Sequence, residues 1–460
     1  MNTPTYTMLR PVFGYDIITP RGELPNGLDP ARFKFIYDQV KWNFKEILYF
    51  NSLDTNPVYL AGHFDHKIIK KSVYEIHKNR QQGINETWYY AVEPFGNFRG
   101  FLGMLNEKVD DEFTKHISDV AKHEIINGNG RLLINYTIDG GIDVNRRTIT
   151  KLFELLKTTG IPFYKIYFLM NDINFKGNLE KISGISNLNV FHFNLALMQK
   201  SNEIYNTLLH EGRYFFWRNN TSFVSKVTRI EDFESNLTKK DKKFLMLNRN
   251  WKMHRLELIK TLRDNGLLEE SLVSWDKNMY SQNEARAFIE KYDDAELMEI
   301  MKNKSSILDY PDIANVHGYG FETKEIYLQS FFHIVGETIY YQDDTPSGYV
   351  SEKPFKPMAH FQPFIFAGPA GVIKHLNELG FRTFHPFIDE SYDSITDDNE
   401  RMKAISDEVV RLGKLTKEEM IDITMKLKGV LYHNYRMLFN IGSPKLQDDN
   451  RNNVINFLSK

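Results

Sequence analysis

A chain of 460 residues is longer than one hydrophobic core supports, so two domains are expected. Hydrophobic residues make up 42% and charged residues 26%, an ordinary globular balance, and a net charge of −2 excludes a global field drawing the protein to nucleic acid or an anionic membrane. The absence of cysteine excludes disulfides and thiolate metal sites, and no apolar run reaches the ~18 residues of a membrane span. The opening MNTPTYTMLRPVFGYD lacks the apolar stretch of a secretion signal, so a cytoplasmic setting is expected. A membrane-bound substrate would be met peripherally, at the surface.

Short β-rich runs alternate with longer amphipathic ones, the pattern of α/β architecture. In the first half, strands are expected at 57–62, 87–94, 130–139, 164–172 and 189–195. Residues 148–160, TITKLFELLKTTG, have apolar residues at 149, 152, 153, 155 and 156, near helical spacing, and end on a glycine suited to a helix C-terminus. Residues 130–172 therefore read as a βαβ crossover. The polar stretch 228–243 marks the boundary between a first domain, 1–235, and a second, 236–430. The second series has strands at 243–249 and 270–275 around a helix at 254–268 that ends at Gly266, then helices at 283–292 and 295–303. Residues 326–338 begin helical and pass into a strand; 361–368 is a strand, 371–380 a helix and 381–385 strand-like. From about 416 the chain is helical, and 431–460 is a tail expected to pack back on the first domain.

Two stretches carry charge at strand-to-helix junctions, where open α/β sheets hold their ligands. The first strand of the second domain ends in LNRNWKMHR, which presents Asn248, Arg249, Asn250, His254 and Arg255 before a helix. Helix N–H groups and arginine forks suit a phosphate there; the alternative is a solvated loop with a helix cap. The second stretch is SGYVSEKPFKP, residues 347–357, which follows a buried strand ending at Glu337. Ser351 is placed to cap a helix whose first turn holds Glu352, Lys353 and Pro354. Glutamate is favoured at that end of a helix and lysine is not, so the lysine makes better sense beside an anion.

Residues 349–368, YVSEKPFKPMAHFQPFIFAG, resemble the donor motif of the α1,3-fucosyltransferase-like enzymes, glycosyltransferases of the GT-B type. That motif is a Tyr-Val-Thr/Ser-Glu-Lys run, a small or apolar helix, and a strand leading to a glycine. The resemblance covers the last half of the second domain, and the FLMLNRN loop more loosely. It implies two Rossmann-like α/β domains facing a cleft, a C-terminal helical segment, and a donor site in the second domain. It implies Glu352 on the ribose hydroxyls, and Lys353 and Arg249 on the diphosphate. Asn248, His254, Arg255, Tyr349 and Ser351 complete the expected donor-binding set. Residues 380–405 are also similar to phage and bacterial proteins with a like C-terminal module. Pro354 and Pro357 depart from the regular helix that follows the Glu-Lys pair in the family.

An inverting transferase needs a base for the acceptor hydroxyl. Asp139 and Glu93 end probable strands of the first domain and rank first, with His63 and Asp65 behind; each also reads as a turn or cap residue. Residues 210–220, HEGRYFFWRNN, interleave aromatics with arginines, either to stack bases or sugars or as core residues with snorkelling arginines. His385, Asp389, Glu390 and Asp393 are metal-ligand types, but they read as a solvated loop, and GT-B enzymes seldom depend on a metal. Neither metal nor cofactor is expected.

The expected function is transfer of a sugar from a UDP- or GDP-sugar to a hydroxyl of a glycan, lipid-linked sugar or protein, with inversion. Hydroxymethylated DNA in a phage-infected host cell is the alternative acceptor. A non-catalytic nucleotide- or glycan-binding protein is the reading from another class.

Overall fold

A computed structural model of the chain describes residues 12–15, 69–92, 114, 117–136, 146–194, 197, 201, 213–215, 222–224, 228–248, 250–303, 306, 324–341, 347–442, 446, 449, 453–454 and 456–458. The chain divides into two compact units, Met1–Leu195 with Asp448–Lys460, and Ala196–Gln447. Each is an α/β unit on a parallel sheet, the Rossmann-like pair expected from the sequence.

In the first unit, strands β1 (Val12–Tyr15), β2 (Ile69–Ser72), β3 (Trp88–Val92), β4 (Gly130–Tyr136), β5 (Ile166–Met170) and β6 (Asn189–His192) lie in the order β2-β1-β3-β4-β5-β6, every pair parallel. Its helices are α1 (Val73–Gln81), α2 (Asp119–Asn127), α3 (Arg146–Thr158) and α4 (Phe175–Ser183). A sheet covered on both faces needs unbroken rather than alternating apolar runs, and β5, IYFLM, is buried throughout. Helix α3 joins β4 to β5, which is the expected crossover, and turns Ile149, Leu152, Phe153 and Leu156 into a core shared with Ile134 and Phe168. Each such side chain contributes roughly 1.5–3 kcal/mol on burial. Gly160, at φ 69°, lets the chain leave the helix in the left-handed conformation. The chain's last residues return to this unit: Tyr89 Oη donates to Leu458 O, and Phe457 packs on Tyr167 and Phe191. Strands β1 and β2 were not anticipated, and the strand expected at 57–62 lies outside the described residues.

The second unit contains an antiparallel pair, β7 (Arg213–Phe215), within the stretch expected to interleave aromatics and arginines, with β8 (Ser222–Val224) just beyond it. Its main sheet has β9 (Lys242–Leu247), β10 (Leu272–Ser274), β11 (Ser330–Gly336) and β12 (Phe364–Ala367), all parallel, in the order β10-β9-β11-β12. Helices α5 (Ile230–Asn236), α6 (Met253–Asp264), α7 (Gln282–Tyr292), α8 (Ala295–Asn303) and α9 (Lys324–Gln329) precede β11. Helix α9 runs directly into β11, as the change of pattern over 326–338 implied. After it come α10 (Phe355–Ala359), α11 (Val372–Glu378), α12 (Asp398–Gly413), α13 (Lys417–Lys426) and α14 (Lys428–Ile441).

The polar stretch 228–243 lies inside this unit as α5 and the start of β9, anchored by Phe233, which packs against Phe361. The units divide instead at 195/196, and α14 stays with the second. No strand forms at 381–385. Arg382 N donates to Asn434 Oδ1 (2.7 Å) and Arg382 O accepts from Asn434 Nδ2 (2.9 Å), so a side chain of α14 takes the groups a neighbouring strand would have paired. Among the described residues no helix is long and apolar enough to cross a membrane.

Candidate functional site

The chain leaves β9 towards β10 on one side of it, and later returns to β11 on the other. This reversal is a topological switch point, and it leaves a crevice beyond the C-terminal ends of β9 and β11. The residues at those ends are Asn248, Gly336 and Glu337. A Cβ on Gly336 would stand 3.1 Å from Asn248 Oδ1 and 3.3 Å from Arg255 Cγ, so the missing side chain lets the three close up. Asn248 is buried, and neither polar atom of its side-chain amide has a hydrogen-bond partner. Such a group costs roughly 1–3 kcal/mol and marks a place where a partner is needed.

His254 and Arg255 reach back from the first turn of α6. Arg255 Nη2 donates to Gly336 O (3.1 Å) and Glu337 O (3.0 Å), and Nη1 donates to Asn250 O (3.1 Å). His254 Nε2 donates to Glu337 O (2.8 Å), and its ring stacks on Tyr340. Burial and the neighbouring Arg255 charge hold His254 well below its usual range, so the ring is neutral. These two residues, expected from sequence to face a phosphate, turn their donors to strand-end carbonyls and so shape the crevice floor.

Glu337, wholly buried, organises the other wall. Its Oε2 accepts from Ser351 N (3.1 Å) and Ser351 Oγ (2.8 Å), and its Oε1 from Thr338 N (2.7 Å) and Lys353 Nζ (3.2 Å). Ser351 therefore ties the 347–353 turn to the strand end. It is not the helix cap expected from sequence, because Pro354 occupies the N-cap of α10. Both prolines are accommodated: Pro354 precedes the helix at φ −68°, and Pro357 lies in its first turn, where no intrahelical acceptor exists for an N–H.

Glu352 is 9% exposed, with Lys353 Nζ 3.8 Å from Oε2 and Lys356 Nζ 3.8 Å from Oε1. Tyr349 is buried beneath the turn. Asn248, Ser351, Glu352 and Lys353 thus gather at one sheet edge. Arg249, Asp139, Glu93, His63 and Asp65 lie outside the described residues. Sequence reasoning passed over Glu337 as a site residue. The available signal was an acid placed directly after the continuous buried strand SFFHIVG.

Arg401, also wholly buried, ties the neighbouring strand end to this wall. Its Nε donates to Gly368 O (3.2 Å), Nη1 to Ile395 O (2.8 Å) and Nη2 to Tyr340 O (3.4 Å) and to Asp398 Oδ1. Beside it opens a cleft of about 1250 Å³ whose lining includes Tyr341, Gly371, Lys374, Asp393 and Asn399. The acids of 385–393 serve the backbone. Asp393 accepts from Ile373 N and Lys374 N, Glu390 from Phe384 N and His385 N, and Asp389 from Ser391 N. Burial pushes Glu390 up to about 7. Among the described residues no three His, Asp or Glu side chains converge as a metal site.

Behind the crevice, His333 and His360 are buried beside Tyr327. His360 Nδ1 pairs with Thr228 Oγ1 (2.7 Å), and its ring stacks on Tyr327 at 3.9 Å. Burial and the Lys356 charge push His333 down to about 3. The unfolded chain protonates this histidine near the ordinary imidazole value of 6.5 while the folded chain does not, so its contribution to stability is present above pH 6.5 and is lost as pH falls from there towards 3. Glu390, whose value is raised, acts with the opposite sign below pH 7. The comparison that isolates His333 is therefore wild type against His333→Leu. Urea denaturation at pH 7, 5 and 4 is expected to show wild type losing stability relative to the variant; parallel curves would refute the assignment.

No family model and no curated protein matches the chain. Among solved structures it is similar to the Candida albicans trehalose-6-phosphate phosphatase N-terminal domain, at 11% identity over 79% of this chain and 75% of that one, TM-score 0.33. It is also similar to a UDP-forming α,α-trehalose-phosphate synthase from Burkholderia vietnamiensis, at 10% identity over 95% and 82%, TM-score 0.33. A third is an E. coli structure described as trehalose-6-phosphate bound with UDP-2-fluoro glucose, at 12% identity over 76% and 78%, TM-score 0.30. At these scores the likenesses carry no inference about the chemistry of this chain.

Proposed function

We propose that the second unit binds a nucleoside-diphosphate sugar at the C-terminal edge of its sheet, and that the protein transfers the sugar to an acceptor hydroxyl. The observation that carries this reading is that the unpartnered Asn248 amide follows β9 while the Glu352–Lys353 turn is tied through Glu337 to the end of β11, the strand beside it at the switch point. The resemblance of residues 349–368 to the donor motif of fucosyltransferase-like enzymes supports it. Glu352 accepts from the ribose hydroxyls, and Lys353 and Arg249 meet the diphosphate.

In the reaction, the acceptor oxygen attacks the anomeric carbon and the bond to the diphosphate oxygen breaks, with inversion. The hydroxyl proton passes to a carboxylate base, and the nucleoside diphosphate leaves with the bonding pair. Cationic side chains stabilise the charge that develops on the leaving group, which makes a metal unnecessary. The acceptor is a glycan, a lipid-linked sugar or a protein.

A thermal-shift screen of the full chain against UDP, GDP and their sugars tests the reading. A ligand that binds only the folded state at about 100 times its Kd adds about 2.7 kcal/mol of apparent stability. The expected result is a rise in Tm with one nucleoside diphosphate, accompanied by slow release of that diphosphate from its sugar. No shift with any of them would remove the donor site. A response to GDP and not UDP would extend the fucosyltransferase likeness to the base.

A further inference from the structure

We infer that Glu337 sets the affinity of this site for anions, as a built-in counter-ion from which Lys353 must turn to reach a diphosphate. The inference rests on the donor-site reading above. An ammonium has three N–H groups, and three acceptors surround that of Lys353: Glu337 Oε1 (3.2 Å), Thr338 Oγ1 (3.0 Å) and Ser351 Oγ (3.1 Å). Lys353 can meet a phosphate only by giving up at least one of them.

The two partners differ in what they can do. The Lys353 side chain is 23% exposed and that of Glu337 is 0% exposed, so an arriving anion meets the lysine first, with the carboxylate behind it. Glu337 does not depend on the lysine for hydrogen bonds, because Thr338 N, Ser351 N and Ser351 Oγ all donate to it. Nor has it room to follow: Gly368 packs so close that a Cβ there would stand 3.0 Å from Glu337 Cβ. The lysine turns and the carboxylate stays. The carboxylate opposes the anion twice, by stabilising the lysine's resting position and by repelling a second negative charge. Glu337 is a positioning residue that acts through Lys353.

The sign of the effect separates this role from a purely structural one. A carboxylate that only shapes the turn would, when neutralised, leave anion binding unchanged or weaker. A competing counter-ion would, when neutralised, make it tighter. Calorimetric titration of the full chain with UDP, GDP and inorganic pyrophosphate, at one salt concentration, reads the sign directly. Glu337→Gln keeps the shape and the acceptor for Ser351 N, and it is expected to bind pyrophosphate and the preferred nucleoside diphosphate about tenfold tighter than wild type. The gain is expected to vanish in Glu337→Gln/Lys353→Met. Thr338→Val removes another resting acceptor without touching the carboxylate and is expected to tighten binding in the same direction, so the test does not depend on one variant folding.

Equal or weaker binding in both single variants overturns the counter-ion role. If wild type binds a nucleoside diphosphate but neither variant binds it more tightly, the donor reading stands and this inference falls. If the variants tighten on pyrophosphate while no nucleoside diphosphate binds, the exchange stands and the donor reading falls.

Discussion

Glu352→Ala is expected to weaken nucleoside-diphosphate binding by at least about 100-fold and to slow sugar transfer at least as much. Two hydrogen bonds from ribose hydroxyls to a carboxylate are each worth roughly 1.5–3 kcal/mol, and at 9% exposure Glu352 is shielded enough to realise that value. The same carboxylate stands 3.8 Å from both Lys353 and Lys356, so its removal takes one counter-charge from each ammonium and disturbs the turn as well. A control separates the two contributions. Wild type is expected to prefer a ribonucleoside diphosphate over its 2′-deoxy counterpart, and Glu352→Ala is expected to lose that preference. A variant that binds more weakly but still discriminates would show that Glu352 supports the turn and does not touch the ribose.

Arg401→Met is expected to cost the second unit about 3–5 kcal/mol, the range seen when one partner of a buried charged network is removed. The guanidinium stacks on Tyr340 at 4.7 Å while its donors hold the carbonyls of Gly368, Ile395 and Tyr340 and the carboxylate of Asp398. Methionine fills much of the volume and satisfies none of these groups. Lysine recovers little, because one ammonium cannot span donors set at the width of a guanidinium fork. Urea denaturation provides the measure; a loss under about 1 kcal/mol, the scale of an exposed pair, would mean that the network relaxes onto water. Because Gly368 and Tyr340 follow β12 and β11, the variant is also expected to weaken diphosphate binding.

The elements that sequence placed well are those whose signal is local. The apolar runs of β5 and β11 announce strands buried on both faces, and the spacing of Ile149, Leu152, Phe153 and Leu156 announces one face of α3. The passage from α9 into β11 was legible as a change of period within one stretch. At the candidate site, the pairing of Glu352 with Lys353 in a turn after a buried strand was legible for the same reason.

What sequence misjudged depends on partners far along the chain. FRTFH has the composition of a strand, but Asn434, 52 residues on, takes its backbone groups. Ser351 has the position of a helix cap, but its hydroxyl finds Glu337, 14 residues back. Arg255, placed by sequence beside a strand end, also holds carbonyls 81 and 82 residues away, contacts no local pattern announces.

Sequence by itself determined that this is an α/β protein with a charged turn at the end of a buried strand, because periodicity and side-chain type act within a few residues. Tertiary structure decided which charges face outward and which are spent inside. Folding brings Glu337, Ser351 and Lys353 within hydrogen-bond reach of one another and sets Arg255 on the strand-end carbonyls. A buried charge is tolerated only where such partners meet it, and that condition is met in space rather than along the chain.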